Sequence, residues 1–155
     1  MTMSLKAAAL VCLAAVPVTA LAETLEERRQ RGDAVVRSLN KGQPQQMLEN
    51  MRSEFPFLAD ATEAYALGDV WSRDVLDART RQLAAVAAFA ATGQTGIMRT
   101  HADYALNMGV TEDELKEIVY LTTVASGFPR AIEASQVLSK LFADRREGQE
   151  GSAAP

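Results

Sequence analysis

The chain holds a single histidine, His101, and its placement makes it the first residue to weigh for chemistry. Ile97, His101, Tyr104, Ala105 and Met108 recur at the spacing of one helical face, so the imidazole is expected to turn inward among apolar side chains. Two roles suit it. It is a hydrogen-bonded member of the core, or, where its pocket is open to a ligand, a proton-transfer group, since an unperturbed imidazole titrates at about 6.5. Arg81 is the second candidate. It lies about a turn into an alanine-rich stretch, beside Leu83 and Ala84, and a guanidinium facing a core needs a carboxylate. Asp69 and Glu117 are internal choices, and a substrate carboxylate is the other. Trp71 either walls a pocket or simply packs, and Arg73 is open between a ligand contact and a surface charge.

The elements that must carry these residues read as helices throughout. Thr24 with Glu27 forms a capping box before a segment running to about Asn40, and Pro44 can open a second helix with Met47, Leu48 and Met51 on one face. Pro56 marks the next boundary, and the segment from Phe57 to Leu67 is expected to end at Gly68. Asp77 caps Ala78 to Thr92, which Gly93 closes, and Ile97 to Met108 stops at Gly109. Thr111 and Glu114 form a capping box for a helix to about Ser126. Gly127-Phe128-Pro129 breaks it, and Pro129 can begin a last helix through Leu138 and Leu141. From Arg145 onward the charged, then small, tail over 145–155 is expected to be disordered. No segment alternates with period two, so the fold class is all-α, with about six to seven helices over 23–144. The alanine-rich helix is apolar almost all round, which predicts burial on several sides and a homo-oligomer.

The first 22 residues predict an export signal. Lys6 supplies the positive start, Ala7 to Val18 an apolar run, and Ala20-Leu21-Ala22 a small-x-small cleavage site. The run is short of the about 20 residues that a membrane span needs. Cleavage leaves Glu23 to Pro155 in a periplasmic or secreted setting, with no membrane contact, and removes Cys12, the only cysteine. The mature chain then has no thiol for redox work and no cysteine ligand, and one histidine does not make a multi-histidine zinc site. Without Lys6, 15 basic residues face 20 acidic ones, a formal charge of −5. That balance, with no basic run, argues against nucleic acid as a partner.

Gly68-Asp69-Val70-Trp71-Ser72-Arg73, then Leu76, then Thr80-Arg81-Gln82-Leu83, resembles the opening signature of the carboxymuconolactone decarboxylase family. His101, Ala105, Gly109-Val110-Thr111, Asp113-Glu114, Lys116-Glu117-Ile118 and Gly127-Phe128-Pro129 continue it in order, over roughly Gly32 to Leu141. The resemblance implies an all-helical, oligomeric, alkylhydroperoxidase-like fold with its site between helices near a subunit contact. It also implies one of two chemistries. One branch uses a Cys-x-x-Cys pair ahead of the histidine; Gln94 and Ile97 stand at those positions here, so the sulfurs of a thiol peroxidase are missing. The other branch decarboxylates a carboxylated muconolactone without a cofactor. Similar decarboxylases carry glutamine and tyrosine where this chain has Leu121 and Ala125.

The expected function is therefore cofactor-free decarboxylation of a small carboxylated lactone or related acid. Loss of carbon dioxide leaves an electron pair that a conjugated lactone takes up as a dienolate, which is then protonated. Arg81 is expected to clamp a carboxylate bidentately and His101 to serve as general acid, with Trp71 as an apolar wall and Asp69 or Glu117 orienting Arg81 or His101. The alternative is an exported binding protein that holds a small hydrophobic acid without turning it over. A third possibility is a structural or interaction domain.

Overall fold

Capping chemistry sets most of the helix starts. Thr24 and Glu27 exchange side-chain and backbone hydrogen bonds at the head of α1 (Leu25–Leu39), and Thr111 with Glu114 does the same for α6 (Glu112–Ser126). Asp77 accepts from the Thr80 N–H to start α4 (Ala78–Thr92), which ends at Gly93 in a left-handed conformation with φ of 75°. Residues 23–153 are described by the computed structural model. The other elements are α2 (Gln46–Glu54), α3 (Pro56–Ala61), a π-helical segment (Thr62–Trp71), α5 (Thr95–Asn107) and α7 (Phe128–Ala153). No strand occurs among the described residues, in keeping with the all-α expectation. The export signal and Cys12 lie outside them.

The core sits where α4, α5, α6 and α7 meet. Val86, Ala90, Met98, Leu115 and Leu138 are buried there, and alanines at 102, 105 and 134 let the helix axes come close. A second layer is made by α1 lying against the π-helical segment. Two glycines define their crossing: a Cβ on Gly32 would fall 2.1 Å from the Glu63 carbonyl oxygen, and one on Gly68 would fall 2.1 Å from that of Arg28. The backbones touch at both points, and any side chain would drive them apart. Ion pairs stitch the same crossing. Arg28 and Arg31 both reach Asp69, while Arg29 and Arg52 converge on the buried Glu63 at 3.1 and 2.6 Å.

Three expectations change. The helix of 57–67 does not end at Gly68; it continues through Trp71 with wider π winding, closed by a bond from Ser72 N–H to the Leu67 carbonyl at 3.1 Å. Gly68 is there because Arg28 leaves no room, not to cap. The tail expected to be disordered from Arg145 is helical to Ala153. Arg145 pairs with Asp103 and Arg146 with Glu112, which hold the first turns of that extension. The alanine-rich helix, finally, buries only one stripe within the chain, Gln82, Val86 and Ala90 at successive turns, and leaves Ala84 and Ala88 exposed.

Candidate active site

His101 enters the space between the two layers from α5 and is packed by aromatic rings. Trp71, the last residue of the π-helical segment, stacks on it with ring centroids 5.0 Å apart and planes within 15°. Phe89 of α4 stacks at 5.2 Å and 19°, and Tyr104 approaches edge-on at 6.1 Å. Burial among these rings pushes the imidazole pKa down to about 4. His101 is thus neutral at physiological pH, which departs from the value near 6.5 that suited an imidazolium acid.

The neutral ring is held by one polar contact. His101 Nδ1 lies 2.8 Å from Gln82 Oε1, and since an amide oxygen only accepts, Nδ1 carries the proton and Nε2 presents a lone pair. Gln82 is fully buried, and its own Nε2 has no hydrogen-bond partner. Tyr104 has the complementary character. Gln45 Nε2 donates to its hydroxyl oxygen at 2.7 Å, so the phenolic hydrogen is free to donate, and burial pushes its pKa up.

These groups border a cavity of about 220 Å³ bounded by Met47, Leu48, Leu67, Trp71, Phe89 and Ile97, with His101 and Tyr104 as its reactive side chains. Its lining contains no carboxylate, lysine or arginine. The volume lies below the roughly 300–1,000 Å³ of sites for drug-sized ligands, and so suits a smaller molecule. Trp71 is also a wall of a neighbouring, more polar cavity of about 340 Å³, bordered by Ser72, Arg73, Asp74, Asp77, Arg81 and Gln82.

The structure brings His101 and Trp71 together and places the other expected residues elsewhere. Arg81 borders the second cavity rather than that of His101. Its guanidinium donates to the carbonyls of Val70 at 2.8 Å and Leu76 at 3.2 Å, and to that of Arg73, and lies 5.8 Å from the centre of the Trp71 ring. Its partners are thus backbone oxygens at the end of the π-helical segment and in the loop that follows it, and not a carboxylate. Asp69 is turned to α1, where hydrogen bonds from Arg28 foremost hold its carboxyl below the usual range. Glu117 is exposed on α6 and borders neither cavity. Leu121 and Ala125 are likewise exposed and outside both.

Gln82, Tyr104, Phe89 and Gln45 are the site residues that sequence reasoning did not nominate. Tyr104 shares the face of His101 three residues on, which is a usable signal. Gln82 is the polar member of the stripe 82, 86, 90, where a buried amide must have a partner. For Gln45, distant in sequence and outside any repeating pattern, no signal existed.

Comparison with known proteins agrees with this architecture. Residues 56–140 match the model of the carboxymuconolactone decarboxylase family. The chain is 31% identical to a 4-carboxymuconolactone decarboxylase of Acinetobacter baylyi over 121 residues, covering 77% of this chain and 90% of that protein. It is 33% identical to a nitrosuccinic acid decarboxylase of Metarhizium robertsii over 97 residues, 61% of this chain and 68% of the relative. This chain belongs to the carboxymuconolactone decarboxylase family.

Proposed function

We propose that the protein decarboxylates a small carboxylated lactone or a related acid without a cofactor, in the cavity that His101 and Tyr104 share. The observation carrying this reading is the pairing, in one uncharged apolar cavity, of a neutral histidine with a free lone pair and a buried phenol with a free hydrogen. A carboxylate brought into such a place loses its hydration, and charge spread over a dienolate tolerates that loss better than charge on two oxygens. The two relatives are named as decarboxylases of small acids, which agrees in reaction class.

The bond from the ring carbon to the carboxylate breaks, carbon dioxide leaves, and the electron pair passes into the conjugated lactone carbonyl. Tyr104 donates its proton to the resulting dienolate at carbon. It regains one from solvent, relayed over the Nε2 lone pair of His101, so each turnover consumes one proton. His101 keeps a catalytic role in this scheme, but as a relay in its neutral form rather than as a resident imidazolium. General acids of this kind contribute about 10² to 10⁴ in rate.

Carbon dioxide release from 4-carboxymuconolactone and from nitrosuccinate tests the proposal. Tyr104→Phe and His101→Gln should each lower kcat by about 10²-fold or more while the fold is retained. Binding of the acids with no release of carbon dioxide by the wild type would instead establish the rival reading, a carrier of small hydrophobic acids. Export to a periplasmic or extracellular setting and assembly into a homo-oligomer belong to the same proposal. They rest on the Lys6 to Ala22 pattern and on the uncovered face of α4.

A further inference from the structure

Gln45 reaches Tyr104 from a part of the chain that the reaction scheme above leaves unused. It is the N-cap of α2, and its amide serves two partners at once. Oε1 accepts from the Met47 N–H at 3.3 Å, and Nε2 donates to the Tyr104 hydroxyl at 2.7 Å. The first contact decides the second. A backbone N–H only donates, so the amide oxygen faces it and the N–H₂ end is left for the phenol. Turning the amide over would set N–H₂ against N–H at the helix start and lose the cap. The Tyr104 oxygen therefore accepts from Gln45, and its own hydrogen is kept for another acceptor.

The helix that supplies this amide is held unequally at its two ends. Leu48 is the one buried residue of α2, and together with Met47 it borders the cavity of His101 and Tyr104. At the far end Arg52 grips Asp60 at 2.9 Å and Glu63 at 2.6 Å, and Pro56 starts α3 directly behind it. At the near end the bond to Tyr104 is the only side-chain hydrogen bond, among the described residues, from α2 or its cap to the core helices α4 to α7.

We propose that Gln45 is a positioning residue for the reaction and that α2 is the lid which carries it. With α2 down, the amide keeps the Tyr104 hydrogen for the cavity and the site can deliver its proton. With α2 lifted about its Arg52 end, the cavity opens and the phenol loses its director. Proton delivery is thereby tied to closure. The use made of the proton rests on the decarboxylase reading; the bond and the lid do not.

Two substitutions separate direction from attachment. In Gln45→Glu one carboxylate oxygen still accepts from the Met47 N–H, and the other now accepts from Tyr104. The helix stays tied, but the phenolic hydrogen is drawn away from the cavity. In Gln45→Leu both ties are lost. Lid opening is read by iodoacetamide alkylation of Leu48→Cys in a Cys12→Ser background, because position 48 is only 5% exposed beneath the helix. Alkylation should match in the Gln45 and Gln45→Glu chains and run about two- to tenfold faster in Gln45→Leu, the effect of one neutral hydrogen bond on an opening equilibrium. A second reading needs no cysteine. Burial pushes the phenol pKa up and donation by Gln45 draws it partly back, so by NMR the Tyr104 ring should ionise at higher pH in Gln45→Leu than in the wild type.

Carbon dioxide release from 4-carboxymuconolactone and nitrosuccinate completes the test. Gln45→Glu should lower kcat by about tenfold or more with KM little changed, which a merely structural amide would not do in a lid that still closes. Wild-type kcat in that variant would overturn the positioning role. Equal alkylation in the wild type and Gln45→Leu, or free alkylation with Gln45 in place, would overturn the lid. A Tyr104 ionisation unmoved by Gln45→Leu would overturn the bond on which both depend. If no chain releases carbon dioxide from either acid, the decarboxylase reading alone fails, and the alkylation and ionisation results still decide the lid and the bond.

Discussion

One side chain decides how the site titrates, and the composition makes it easy to observe. His101 is the only histidine, so its ring protons give a single titration curve by NMR. That curve should have its midpoint at about 4, because burial between Trp71 and Phe89 disfavours the imidazolium. Gln82→Glu places a carboxylate against Nδ1 and should move the midpoint upward, whereas Gln82→Leu should leave it low and loosen the ring. The same depressed value makes stability depend on pH. The unfolded chain, with a histidine near 6.5, binds the proton that the folded chain refuses between about 4 and 6.5. His101 therefore contributes stability above 6.5 that is lost as pH falls through that window. The loss is of the order of 3 kcal/mol at most, and urea titrations of wild type and His101→Gln across pH 4 to 7.5 should diverge by it. A wild-type midpoint near 6.5 would show the ring to be open to water and would remove the basis for a neutral relay.

At the level of elements, the π-helical segment does what an α-helix ending at Gly68 could not. It carries the chain one further turn and delivers Trp71 to the wall between the cavities. Segments of this winding are uncommon and recur at functional sites. Gly68→Ala should cost about 1–3 kcal/mol or more, because its Cβ meets a carbonyl and not the yielding end of a side chain. If thermal unfolding of the variant matched the wild type, the close crossing of α1 would be wrong. Helix starts were readable from the sequence because capping boxes are local: Thr24 with Glu27, Thr111 with Glu114. Gly68 misled because a glycine after a helical pattern usually caps, and its true reason, the carbonyl of Arg28 some forty residues away, leaves no local trace. The helical tail was missed for a similar reason, since Asp103 and Glu112, which anchor it, come from other helices.

For the whole molecule, periodicity sufficed to give an all-α chain with His101 inward, and the ordered motifs gave the family. It did not give the partners of the charged residues. Arg81, Asp69 and Glu117 were grouped because a guanidinium at the start of a largely buried helix needs a carboxylate, and each sits in a different part of the structure. The exposed apolar residues remain to be covered. Leu121 and Val124 of α6 and Phe128 and Ile132 of α7 are 53% exposed or more. A second copy of the chain packed on this region and on the open face of α4 would bury them, and Val124→Glu should then shift the assembly toward single chains. Native mass spectrometry of the protein from the extracytoplasmic fraction measures both proposals at once. It should show several chains, each beginning at Glu23; a single chain beginning at Met1 would refute assembly and export together.

Trp71 is the only tryptophan in the chain, and the two cavities share it as a wall. The protein therefore carries its own optical probe. A ligand entering either compartment changes what lies against the same indole, and protonation of the imidazole stacked on it should quench its emission. Occupancy of each side and the charge state of His101 can thus be followed together in unlabelled protein, through a single fluorophore whose source is never in doubt.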